Sequence, residues 1–127
     1  MEASPLDTKV LPNPLPRNPK ECPKHLRAVR DALDVLNGKW KLPIIIALSF
    51  GNYRFSELHK QTGITPKMLT KELKDLEMHE LVKRTVFDSK PVRVEYSLTR
   101  YAATLHNLID ALAEWGEQHR ARVMKKE

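Results

Sequence analysis

Lys67, Lys71 and Lys74 recur at i, i+4 and i+7 within the stretch ITPKMLTKELKDLEMHEL, residues 64–81, with Thr70 between them. On a helix of 3.6 residues per turn these four side chains share one face. Three ammonium groups and a hydroxyl on one face supply the charge and hydrogen-bond donors that meet phosphates and base edges. Lysines at i, i+4 repel by roughly 0.2–0.5 kcal/mol per pair in an isolated helix, a cost that an anionic partner relieves. Asp75 lies four residues after Lys71 and offers an internal alternative, so the lysine face taken alone also reads as an ordinary solvated one. No other cluster in the chain competes with it. Of the histidines His25, His59, His79, His106 and His119, none has metal-ligand spacing. Cys22-x-x-His25 is half a zinc site without its second half, and His79-Glu80 lacks a second histidine because position 83 is lysine. With 4 glycines in the whole chain there is little material for a phosphate-cradling loop, and no nucleophile elbow or dinucleotide fingerprint occurs. No metal, no cofactor and no enzymatic activity are therefore expected.

The lysine face needs a scaffold, and the flanking residues describe one. Thr65 is a good N-cap and Pro66 suits the first helical position, where a missing N–H is not needed. Leu69, Leu73 and Leu76 then form a stripe for a core. Ahead of this helix, Ser56 is expected to cap a shorter one, SELHKQTG, that stops at Gly63. A two-turn helix, a glycine and a freshly capped helix together are the sequence form of a helix-turn-helix. After Leu81 the period drops to 2: Val82, Arg84 and Val86 alternate with Lys83, Thr85 and Phe87, and Val92, Val94, Tyr96 and Leu98 alternate with Arg93, Glu95 and Ser97. Two antiparallel strands joined by residues 88–91 follow, with Arg84, Lys90 and Arg93 at or near the tip. A helix-turn-helix followed by a basic hairpin is the order of a winged helix, in which the helix enters the major groove and the hairpin reaches the flanking backbone or minor groove.

The remaining segments frame that unit. Leu26, Val29, Leu33 and Leu36 predict a first helix over 24–36, stopped by Asn37-Gly38. Residues 40–48 are apolar nearly all round, which predicts a central, buried second helix, and 53–55 read as a very short strand. Thr99 is expected to cap a last helix from about residue 100 to 124, carrying Leu105, Leu108, Ile109, Leu112 and Trp115 on one stripe. At 1.5 Å per residue this is roughly 35 Å, more than a small winged domain needs for its own core. The excess points to a homodimer built from the last and first helices, with Leu26, Val29, Leu33, Leu105, Leu108, Ile109, Leu112 and Trp115 at its interface. Two-fold symmetry then predicts a palindromic operator, and an apolar interface of this kind is also a place for a small-molecule effector.

The expected class is α+β, mainly α: a winged helix-turn-helix domain over 24–127 with N- and C-terminal dimerisation helices. Residues 1–23 hold six of the 9 prolines (5, 12, 14, 16, 19 and 23) and read as a disordered arm. A formal charge of +6, from 22 Lys+Arg against 16 Asp+Glu, favours a polyanionic partner such as double-stranded DNA. No apolar run approaches the ~20 residues of a membrane span, and the first residues lack the pattern of a signal peptide, so a cytoplasmic protein without membrane contact is expected. The single Cys22 has no internal disulfide partner.

Four motifs give the chain a family likeness. They are Leu36-Asn37-Gly38-Lys39-Trp40-Lys41, Arg54-Phe55-Ser56-Glu57-Leu58, Ile64-Thr65-Pro66-Lys67-Met68-Leu69-Thr70 and Arg93-Val94-Glu95-Tyr96-Ser97-Leu98-Thr99. In this order they resemble the HxlR-type regulators, a bacterial, MarR-like branch of winged helix-turn-helix transcription factors. The resemblance implies a dimeric DNA-binding regulator that meets bases and phosphates through Thr65, Pro66, Lys67, Met68, Thr70 and Lys71 and through the wing. With the residues before the turn and those of the wing added, the candidate DNA-binding set also includes Arg54, Ser56, Arg84, Ser89, Lys90 and Arg93. Members that sense oxidants or electrophiles are similar to this chain in carrying an N-terminal Cys-Pro pair, here Cys22-Pro23, which makes Cys22 a candidate redox thiol. The alternative is a winged-helix protein-interaction module without sequence-specific DNA binding.

Overall fold

The structure, a computed structural model, describes residues 17–125; the predicted disorder of residues 1–16 lies outside them. The chain divides into two units, residues 1–34 and 35–127.

In the described part of the first unit, Asn18 accepts a hydrogen bond from the Lys20 amide at 3.0 Å and opens a 3-10 turn, Pro19–Glu21. Helix α1, Cys22–Val35, follows at once and contains no buried residue. Residues 17–23, read as arm from their prolines, thus carry a turn and a helix start. Proline costs nothing in a first helical turn, where its missing N–H has no partner to lose.

The second unit is built on leucine and isoleucine stripes. Helix α2, Lys41–Leu48, buries Ile44, Ile45, Ala47 and Leu48. It is not buried all round as expected: Ile46 is exposed, and Phe50 just beyond the helix is 80% exposed. Helix α3, Phe55–Thr62, begins two residues earlier than a Ser56 cap predicts, with Arg54 rather than Ser56 at the N-cap. Arginine has no acceptor to offer, so the cap comes from inside the helix, where the Glu57 carboxylate accepts from the Arg54 amide at 2.7 Å. Gly63 ends α3 with φ +73°, a left-handed conformation in which a Cβ is strained.

Helix α4, Pro66–Met78, follows after Ile64 and Thr65. The Thr65 hydroxyl accepts from the Met68 amide at 3.3 Å, and Leu69, Leu73 and Leu76 are buried as their spacing predicts. Strands β1, Val82–Phe87, and β2, Arg93–Leu98, pair antiparallel from Val82 opposite Leu98 to Phe87 opposite Arg93. The short strand expected over 53–55 reduces to Tyr53, which exchanges hydrogen bonds of 3.1 and 2.7 Å with Tyr96 and ties the hairpin to the chain ahead of α3.

The last helix starts later than predicted. Both the hydroxyl and the carbonyl of Thr99 take the Ala102 amide at 3.1 Å, and this i+3 bonding tightens Tyr101–Leu105 into a 3-10 turn. Helix α5 then runs His106–Lys125, about 30 Å at 1.5 Å per residue. Among the described residues no helix is long and apolar enough to cross a membrane.

Candidate nucleic-acid interface

The turn between α3 and α4 is held from both sides. Ile64 is fully buried, and its carbonyl accepts from Nδ1 of His59 at 2.6 Å. The Thr62 hydroxyl donates back to the Leu58 carbonyl and accepts from the Ile64 amide. These bonds fix where α4 begins relative to α3, so the first two turns of α4 leave the domain surface at a set angle.

On those turns Thr65, Pro66, Lys67, Thr70 and Lys71 are exposed, as their proposed role requires. Thr70 donates to the Pro66 carbonyl at 2.9 Å, which leaves its oxygen free to accept. Neither Lys67 nor Lys71 belongs to an ion pair among the described residues. Met68 departs from expectation: it is partly buried and packs against the core, which limits its reach outward. Asp75 is also not where the i, i+4 argument put it, because its carboxylate lies 3.4 Å from Nζ of Lys41 rather than pairing with Lys71.

That contact belongs to a cluster not anticipated from the sequence. Lys41 Nζ lies 2.5 Å from Glu72 Oε1 and 3.0 Å from Asn37 Oδ1, with side-chain exposures of 3% for Lys41, 6% for Glu72 and 35% for Asp75. Burial works against the charge on Lys41, but the hydrogen bonds and negative charges of Glu72 and Asp75 outweigh it and hold the pKa above its usual value. One sequence signal pointed here. Lys41 falls in step with Ile44, Ile45 and Leu48 on the buried stripe of α2, and a buried ammonium requires a carboxylate.

The wing contributes fewer free cations than its composition suggested. Arg84 and Lys90 are exposed, but Arg93 is tied down: its Nε is 3.1 Å from Glu95 Oε2 and its guanidinium lies 4.3 Å from the centre of the Phe87 ring. The Ser89 hydroxyl donates to the Pro91 carbonyl at 2.7 Å and shapes the loop. Arg54 and the loop are brought together, since Arg54, Ser89, Lys90, Pro91, Val92 and Arg93 line one cleft of about 240 Å³. Ser56 is exposed in the first turn of α3.

The apolar candidates divide. Leu105 and Ile109 pack against the chain's own core, whereas Leu108, Leu112 and Trp115 are exposed, as are Leu26, Val29 and Leu33 on α1. Ile46, Phe50, Leu98, Ala102, His106 and Ile109 help to line an open, mainly apolar recess of about 860 Å³, within the size range of small-molecule sites. Cys22 is exposed at the first position of α1.

Residues 35–124 match the HxlR-like helix-turn-helix family. The chain belongs to that family. Among its relatives, the HTH-type transcriptional regulator YtcD of Bacillus subtilis is 39% identical over 104 residues, which cover 81% of this chain and 82% of YtcD. An HTH-type regulator of Methanothermobacter thermautotrophicus is 38% identical over 97 residues, 76% of this chain and 74% of its own. Solved structures extend the likeness to the fold. The redox regulator HypR in its reduced form aligns with a TM-score of 0.70 at 39% identity, covering 73% of this chain and 93% of HypR. The reduced form of the transcriptional regulator YodB from B. subtilis aligns at 0.66 with 32% identity, over 80% and 93%. As an HxlR-like protein this chain is a helix-turn-helix transcriptional regulator with a winged fold, α3 and α4 forming the motif and β1–β2 the wing.

Proposed function

We propose that the protein acts as a homodimer that reads a palindromic operator, with α4 in the major groove and the β1–β2 hairpin on the flanking backbone. The observation that carries this reading is the exposed face formed by Thr65, Lys67, Thr70 and Lys71, whose lysines have no ion-pair partner among the described residues. Arg84 and Lys90 extend the positive surface along the wing, and Arg54 joins it at the loop. In this reading Lys67 and Lys71 neutralise phosphates or donate to base edges, Thr65 and Thr70 supply hydroxyls, and Ser56 and Ser89 meet the backbone. Arg93 acts on the wing's shape through Glu95 and Phe87 rather than on DNA directly. The exposed apolar residues of α1 and α5 supply the dimer interface, which sets the spacing between two copies of α4.

Cys22 enters the proposal as a redox thiol. Support comes from its exposure and from the redox regulator HypR among the structural relatives. Oxidation of two Cys22 thiols to an intersubunit disulfide releases two protons and two electrons to the oxidant, and non-reducing electrophoresis with Cys22→Ser as control reads it directly.

Selection of bound fragments from genomic DNA tests the main reading. A preferred sequence with two-fold symmetry is expected, and Lys67→Ala or Lys71→Ala should weaken its binding while leaving the fold intact. Each should also reduce the slope of log affinity against log salt by about 2, one phosphate contact being lost in each subunit. Unchanged affinity in both variants removes α4 from the interface.

A further inference from the structure

Burial of Leu69, Leu73 and Leu76 fixes which side of α4 faces the core, but apolar contacts are non-directional and define the helix's rotation less sharply than a hydrogen-bonded ion pair does. Even a fraction of the roughly 100° between successive residues changes where Lys67 and Lys71 point. The bonds of the turn hold the start of α4, and a directional contact further along the helix sharpens its rotation. We propose that Lys41 is the positioning residue of the recognition helix: it grips Glu72 and Asp75 and so sets the rotation at which Lys67, Thr70 and Lys71 meet DNA. The inference rests on the function proposed above for α4.

The geometry carries it in three ways. Glu72 and Asp75 are three residues apart and occupy the flank of α4 between the leucine stripe and the lysine face, where a tether resists rotation most directly. The tether comes from a different element, 31 residues away in sequence, whose own seat is fixed by Ile44, Ile45 and Leu48. And the ammonium holds α4 at two points, donating to Glu72 at 2.5 Å and lying 3.4 Å from Asp75, while Asn37 accepts a second hydrogen bond at 3.0 Å. Gly38, at φ +83°, turns the chain between Asn37 and Lys41 so that both face this point.

A charge pair this buried is weak support for stability, because matched apolar side chains often replace such pairs without loss. Its use lies in direction. A second consequence concerns charge: the same ammonium neutralises two carboxylates that adjoin the DNA-facing turns, where uncompensated they would repel phosphate.

The full-length Lys41→Met/Glu72→Met variant separates seating from stability. Its thermal midpoint should lie within a few degrees of wild type, while Lys41→Met alone should fall well below, with Glu72 left buried and unpaired. Binding is then measured to two duplexes, one selected by the wild-type protein from a randomised library and one scrambled version of equal length. The expected result for the double variant is at least a tenfold loss in the ratio of the two affinities, with little change on the scrambled duplex. A ratio within twofold of wild type, in a folded double variant, overturns the proposal. Should the double variant not fold, Glu72→Ala retains Asn37 and Asp75 on Lys41, and a ratio unchanged in that variant overturns it equally. Residual dipolar couplings of the α4 amides in the unbound protein read the rotation without DNA. A changed α4 axis or roll in the variant supports the assignment, and an unchanged one refutes it, even if the wild-type protein proves to have no preferred sequence.

Discussion

The His59 ring donates from Nδ1 to the main-chain carbonyl of Ile64 at 2.6 Å, spanning the turn between the two helices of the motif. Ile64 is fully buried, so its carbonyl sits where water cannot readily replace a lost partner. His59→Ala should therefore cost about 1 kcal/mol in urea unfolding, the net worth of a typical intramolecular hydrogen bond. DNA affinity should fall as well, since the bond fixes the origin of α4. A variant with wild-type stability and affinity would mean that the Thr62 hydroxyl alone suffices to hold the turn.

Gly63 presents a cleaner case in the same turn. Its φ is +73°, and a Cβ built there meets nothing within 4 Å, so a substitution is penalised by backbone strain without any clash. Gly63→Ala is expected to lose roughly 1–2 kcal/mol, the cost of a left-handed conformation for an ordinary residue, and Gly63→Asn less, because asparagine tolerates it. Equal stability for all three residues in chemical denaturation would show that the turn relaxes to another conformation.

The parts of this fold that rest on neighbours in sequence are legible without a structure. Thr65 and Pro66 begin α4, Gly63 ends α3, and the period-2 run of β1 and β2 pairs in the order expected, because caps, glycine conformations and pleats are set within a few residues. What escapes is settled by distant partners. Lys41 meets Glu72 across 31 residues, a pairing that no pattern local to α4 announces. Arg93 looks like a free wing cation until Phe87 and Glu95 are placed around it. Leu105 and Leu108 belong to one apolar stripe, yet only the first packs against the core, a division that depends on how α5 leaves the 3-10 turn before it.

Alkaline pH should expose the Lys41 cluster. The folded-state pKa of Lys41 lies above the ordinary value of 10.5, so the charged lysine's contribution is complete below that value and disappears as pH rises through the folded-state pKa. The urea midpoint is expected to change little on this account between pH 7 and about 10, then to drop. The decisive quantity is the difference from Lys41→Met/Glu72→Met, which should lack this part of the decline. Parallel pH profiles for the two proteins would contradict a charged Lys41 in the folded state.

Leu108, Leu112 and Trp115 stand exposed at i, i+4 and i+7 on α5, with the Trp115 ring stacked on His119 at 5.0 Å. In the proposed homodimer each copy buries these side chains, and burying one leucine is worth about 1.5–3 kcal/mol. A two-fold interface counts the change twice, so Leu112→Glu should weaken dimerisation at least about a hundredfold, each 1.4 kcal/mol being a factor of ten. Sedimentation at micromolar concentration should then report monomers. Binding to a palindromic duplex should fall by a similar factor, while binding to a single half-site stays the same, because α4 and the wing remain intact in each chain. A Leu112→Glu protein that still sediments as a dimer would place the interface elsewhere and leave the exposed stripe of α5 for another partner.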